Sequence, residues 1–147
     1  MGLLGWLLPR RRRIALLVDG PNVFRAEFDI DLQEILQAVR SEGELAISRL
    51  YLDEHASPGL IRAAEMNGFE VVITSGDVDV KLAVDGTEIA ATGRVEVLSI
   101  ASRDGDFKPV FERAGYHGLQ TLAIAPGNHG RSEALVNAAD EAIVLGD

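Results

Sequence analysis

Three short stretches of this sequence place aspartates directly after apolar runs or in a connecting loop: "DGPN" at residues 19–22, "GDVD" at residues 76–79 and "SRDGD" at residues 102–106. Carboxylates that meet in one cleft raise one another's pKa when they lie within ~4 to 6 Å, and a divalent cation removes that conflict. Oxygen-only ligands suit the hard ions Mg²⁺ and Mn²⁺, which keep several waters and so need only two or three carboxylates. Such an ion polarises a phosphoryl oxygen and makes a water acidic enough to attack a phosphodiester in line. The remaining inventory agrees. There is no cysteine, so thiolate sites and cysteine nucleophiles are excluded. His55, His117 and His129 fall on separate segments without ligand spacing and read as surface residues.

Each stretch also has an ordinary reading. Asp106 stands before the helical pattern "FKPVFERAG" and serves equally as a helix N-cap, a role worth ~1 kcal/mol. Asp19 before Gly20 and Pro21 fits a turn after a buried strand. Asp77 and Asp79 suit a solvated first helical turn, favoured by the helix dipole. Asp85 lies six residues beyond Asp79, about 120° around a helix, so it reads as a supporting or surface residue. Asn22 fits an Asx-type turn as well as it fits orienting a water or phosphate. Ser102 either caps a strand end or supports a water at the ion. The case for chemistry therefore rests on where the three stretches meet.

That meeting follows from the elements around them. Short β-rich runs alternate with helical stretches, the pattern of an α/β fold with a mainly parallel sheet. The strands read as "RIALLVD", "LAISRLYL", "FEVVIT", "VEVLSIAS" and "LQTLAIA", with "EAIVL" as a short terminal strand. The first is a nearly continuous apolar run, as a strand covered on both faces requires. Helices are expected from about Leu32 to Ser41, capped by Asp31 and Glu34, and over "SPGLIRAAEMNG" with Ser57 as N-cap and Gly68 at the exit. Further helices are expected from about Asp79, weakened by Gly86, from about Phe107 to Ala114 closed by Gly115, and over "EALVNAA". Successive right-handed crossovers with one reversal predict the strand order 3-2-1-4-5. Strands one and four are then neighbours at the switch point, where open α/β sheets place their ligands beyond the carboxyl ends of the strands. Asp19 and Asp104 would face each other there, with Asp79 entering from the side.

At 147 residues the chain is sized for one domain. The apolar fraction of 47%, the charged fraction of 25% and 15 glycines describe a globular protein. A net charge of −9, from 23 acidic and 14 basic residues, argues against a broad phosphate-binding surface. Four of the basic residues are the run Arg10 to Arg13, which follows the apolar "MGLLGWLLP". That stretch is far shorter than the ~20 residues a membrane span needs. Its charge follows rather than precedes the apolar part, against a secretory signal. Residues 1–12 are read as a flexible leader and 13–147 as the domain. A weak membrane-surface contact through residues 2–13, with Trp6 in lipid and the arginines on headgroups, is the lesser reading.

Taken together, "LLVDGPN", "DVDVKLAVDG" and "SRDGDFKPVFERAGY" resemble the NYN domain family, a branch of the PIN-like metal-dependent ribonucleases, over about residues 13 to 145. The resemblance implies a Rossmann-like, PIN-like three-layer sandwich and an aspartate cluster that binds Mg²⁺ or Mn²⁺ for cleavage of RNA. By motif it implies Asp19, Asp79, Asp104 and Asp106 as catalytic residues, the first three as metal ligands. Asp85 matches a later aspartate of the middle helix. Asn22, Ser102, Arg103, Lys108 and Arg131 are the expected substrate contacts, with Arg25 also available to line the cleft. Two departures stand out: Gly76-Asp77 replaces the family's Lys-Gly before the middle aspartate, and Arg103 replaces a glycine. Arg103 either clamps phosphate or pairs with an aspartate and blocks the ion.

The expected activity is a divalent-metal-dependent endoribonuclease acting on single-stranded RNA in the cytoplasm, with RNA as partner and a homodimer as a possible assembly. The alternative is a non-catalytic RNA-binding or regulatory module on the same fold. A receiver-like phosphoacceptor needs a lysine after the fifth strand, where this chain has "APGN". A phosphotransferase of topoisomerase-primase type would want a glutamate on strand one, where this chain has Asp19. The glycines form no Walker pattern.

Overall fold

A computed structural model describes residues 11–24, 30–127 and 133–146. Strand β1 (Arg13–Asp19) leads into a single helical turn, α1 (Gly20–Val23), and then into α2 (Leu32–Arg40). There follow β2 (Glu44–Asp53), α3 (Pro58–Met66), β3 (Glu70–Thr74), α4 (Val78–Thr92) and β4 (Val97–Ala101). A 3₁₀ turn (Gly105–Phe107) runs into α5 (Lys108–Tyr116), and β5 (Gln120–Pro126), α6 (Glu133–Ala138) and β6 (Glu141–Leu145) complete the chain.

The six strands form one sheet in the order β3-β2-β1-β4-β5-β6, and every pairing is parallel. The expected order is thus observed, with the terminal strand added beside β5. β1 is central and buried from Ile14 to Asp19 because helices cover both its faces. Ile14, Leu16 and Val18 pack under α2 and α3 with Ile35, Leu36, Val39 and Ala64. Ala15 and Leu17 pack on the other face with Leu82, Ile89, Val110, Phe111 and Leu135 of α4, α5 and α6. This is the three-layer α/β architecture, and its two cores follow from the period-2 alternation of β1.

Local chemistry sets the helix ends. Asp31 accepts from the Glu34 amide at 2.9 Å, and Ser57 accepts from the Leu60 amide at 3.2 Å, as their sequence positions predict. Gly20–Asn22, for which a turn is one of the two readings, forms α1, with Pro21 preset for a first helical turn. Gly115 does not close α5. The helix continues to Tyr116, and Gly118, at φ 86°, makes the left-handed exit.

Arg11 and Arg12, placed in the leader by the sequence reading, belong to the folded part. Arg11 donates to the Arg40 and Gly43 carbonyls. Arg12 pairs with Glu42 at 3.3 Å and Glu141 at 3.0 Å, tying the amino edge of the sheet together. Residues 1–10, including Trp6, lie outside the described residues. No described helix is long and apolar enough to cross a membrane.

Candidate metal centre at the carboxyl end of the sheet

Asp19 ends β1 beside β4, and Val18 pairs with Ala101, so the loops after the two strands meet. The Asp19 side chain is 1% exposed. Its Oδ2 accepts from Asn22 Nδ2 at 2.8 Å and from Ser102 Oγ at 2.8 Å. Its Oδ1 is buried without a hydrogen-bond partner. A buried polar atom left this way costs about 1–3 kcal/mol, so it is kept where something else uses it. Burial pushes the Asp19 carboxyl above the usual aspartate range. The bonds from Asn22 and Ser102 pull it back, and the charges of Asp104 and Asp79 push it up again.

Gly20 brings α1 this close. A Cβ there would lie 2.4 Å from Leu52 Cδ2 and 2.7 Å from the Tyr51 carbonyl oxygen. The glycine is required for close approach of backbone to backbone. Asn22 thereby reaches back to its own strand end instead of into solvent.

Ser102 is fully buried and bridges two of the aspartates: it donates to Asp19 and accepts from the Asp104 amide at 3.0 Å. Its hydroxyl is thus engaged with both groups and is buried away from the surface. Asp104 Oδ1 accepts from the Asp106 amide at 2.9 Å and starts the 3₁₀ turn. Asp104 is therefore the capping residue. Asp106 is exposed, makes no cap on α5, whose N-cap is Phe107, and does not line the cleft.

The cleft, of about 340 Å³, is lined by Asp19, Asn22, Asp104 and by Asp77 and Asp79 from the start of α4. Asp53 completes the wall, and the sequence reading missed it. The signal was present, because Asp53 follows the apolar end of β2 just as Asp19 ends β1. Lys108 opens α5 on the surface, and Arg103 is half-buried between Ser102 and Asp104; neither lines the cleft. Arg25, His129 and Arg131 lie outside the described residues.

Asp85 is neither in this cleft nor on the surface. It is 8% exposed and accepts from the Tyr51 hydroxyl at 2.8 Å, with Lys81 at 3.1 Å and Arg49 at 3.6 Å around it.

Among the described residues no three acidic or histidine groups are gathered tightly enough to cage an ion as they stand. Three of the carboxylates spend an oxygen on local backbone amides, Asp104 on Asp106, Asp79 on Val80 and Asp53 on His55. The donor set nevertheless fits a hard divalent ion: all oxygen, several carboxylates, and one buried carboxylate oxygen with no other partner.

The fold has counterparts. The chain is 42% identical over 135 residues to an uncharacterized protein of Methanocaldococcus jannaschii, a match covering 92% of this chain and 56% of that protein. It thus spans little more than half the length of this curated relative. A crystal structure of a protein of unknown function from Vibrio parahaemolyticus superposes with a TM-score of 0.79 at 23% identity, covering 95% of this chain and 96% of that one. It shares the fold. The NYN domain model matches residues 13–146, and with it the chain belongs to the NYN domain family.

Proposed function

We propose that this protein is a divalent-metal-dependent endoribonuclease acting on single-stranded RNA in the cytoplasm, with Asp19, Asp79 and Asp104 holding Mg²⁺ or Mn²⁺. The observation that carries the reading is Asp19: one oxygen is held by Asn22 and Ser102, and the other is buried and unpartnered at the head of an acidic cleft. The bound ion supplies Lewis-acid polarisation of the scissile phosphate and activation of water.

The chain's own residues do the rest. Asn22 and Ser102 both donate to the charged form of Asp19 and so offset part of the upward push of its burial. Ser102 sets the distance between the Asp19 and Asp104 loops. Five carboxylates lining one cleft repel a phosphodiester, so substrate approach is gated by cation loading. Lys108, exposed beyond the 3₁₀ turn, and Arg103 are the described cations nearest in sequence to Asp104 and are assigned to RNA phosphates.

The test is hydrolysis of a labelled single-stranded RNA. Cleavage should require Mg²⁺ or Mn²⁺, stop in EDTA, and vanish in Asp104→Asn; undiminished cleavage by that variant sinks the assignment. The separation of the carboxylates favours one second reading, an RNA-binding module without turnover. Under it, RNA binding persists in EDTA and no cleavage appears with either ion.

A further inference from the structure

α4 carries Asp77 and Asp79 in or beside its first turn, so whatever fixes this helix fixes half of the cleft. Apolar packing supplies part of that hold. The helix buries Leu82, Ile89 and Ala90, yet it also exposes Val80 at 57% and Val84 at 55%. With apolar residues on several sides, the hydrophobic effect discriminates poorly between rotations of the helix about its axis. A directional bond is needed to choose one.

The buried pair Tyr51–Asp85 is such a bond. Tyr51 is fully buried on β2 and pairs in register with Asp19 on β1, so it stands at the same height in the sheet as the central carboxylate. Its hydroxyl donates to Asp85 Oδ2 at 2.8 Å. Burial, followed by the Asp85 contact, pushes the phenol well above its ordinary range, which keeps it a donor at any physiological pH. Lys81 and Arg49 neutralise Asp85, and Arg49 is itself held by Glu70 at 2.9 Å. Next to Asp85, Gly86 lets the helix approach Leu17 and Val110, where a Cβ would meet Val110 Cγ1 at 3.1 Å and Leu17 Cδ1 at 3.3 Å. Gly86 gives α4 its close approach, and the Tyr51–Asp85 bond is the directional contact beside it. Asp79 lies six residues away on the same rod, about 9 Å along the axis.

We propose that Tyr51 and Asp85 are positioning residues that hold Asp77 and Asp79 in place against Asp19. The idea rests on the cation-binding reading of the cleft, and the test separates the two. In the full chain, Tyr51→Phe removes one oxygen atom from the core. Its Mn²⁺ dissociation constant, read by electron paramagnetic resonance, should rise about tenfold, as typically follows loss of a group that orients a metal ligand. Amides in the first two turns of α4 should exchange with solvent about tenfold faster than in the parent, while those of α5 and β5 keep their rates. Asp85→Asn retains an acceptor for the Tyr51 hydroxyl and should recover most of the Mn²⁺ affinity; Asp85→Leu should not. A Tyr51→Phe protein that melts earlier but binds Mn²⁺ like the parent and shows no selective change in α4 overturns the proposal. If the parent itself fails to bind Mn²⁺, the cation reading falls, and the exchange pattern in α4 alone decides the positioning role.

Discussion

Replacing Gly20 with alanine tests the close approach that builds the cleft. The added carbon would meet Leu52 Cδ2 at 2.4 Å and the Tyr51 carbonyl oxygen at 2.7 Å. The leucine end can swing aside. The carbonyl cannot, because Tyr51 is locked beside Asp19 in the β1–β2 pairing. Relief therefore requires α1 to move off by roughly 0.5–1 Å, given that carbon contacts prefer ~3.5 Å or more. Overpacking of this kind costs about 1–3 kcal/mol, and the stiffer unfolded chain of an alanine variant returns ~0.4–1 kcal/mol. The net loss of ~1–2 kcal/mol corresponds to a melting point lower by about 3–8 °C for a domain of this size. Because Asn22 rides on α1, its bond to Asp19 loosens too, and Mn²⁺ binding should weaken alongside stability. Urea unfolding followed by far-ultraviolet circular dichroism reads the effect. Gly59 and Gly115 provide the control, since both are helical and a Cβ at either meets nothing within 4 Å. Alanine there should stabilise by ~0.4–1 kcal/mol. A Gly20→Ala protein whose midpoint equals or exceeds the parent's at unchanged m-value refutes the steric argument.

Two further outcomes follow from the same geometry. The folded state holds the Asp19 proton more tightly than the unfolded chain, so Asp19's favourable contribution is complete below the ordinary value of 3.8 and is lost as pH rises through its raised folded value. An ion must displace that proton, so the Mn²⁺-induced rise in melting temperature should shrink as pH falls toward the acid range; a rise that grows instead contradicts the assignment. Asp140→Ala should destabilise the fold by about 1–3 kcal/mol, because Asp140 Oδ2 accepts from the Thr121 amide at 3.0 Å and its hydroxyl at 3.2 Å, with Thr121 3% exposed. Urea melts check this, and an unchanged midpoint would show that the Thr121 groups find other partners.

Much of this fold was legible in the chain. The unbroken apolar run of β1 announced a strand covered on both faces, and Asp31 and Ser57 announced helix starts that the structure shows bonded as expected. The strand order followed from crossover handedness, which is a property of L-amino acids and not of particular contacts. The cleft was legible at Asp19, Asp79 and Asp104 because strand ends in such sheets converge on one side. Spacing could not show that Ser102 is buried, and the cap expected at Asp106 is taken by the neighbouring Asp104.

Sequence by itself determined the alternation of elements, the helix caps and the side of the sheet on which carboxylates collect, because these depend on local propensity, period and handedness. Tertiary structure alone decided which oxygens are spoken for. Asp19 has one oxygen bonded and one buried without a partner, Asp53 joins the cleft from a neighbouring strand, and Asp85 turns away to Tyr51. Those outcomes depend on how closely α1 and α4 approach the sheet. That approach is set by the missing side chains of Gly20 and Gly86 meeting residues distant in the chain, a packing fact that no local pattern encodes.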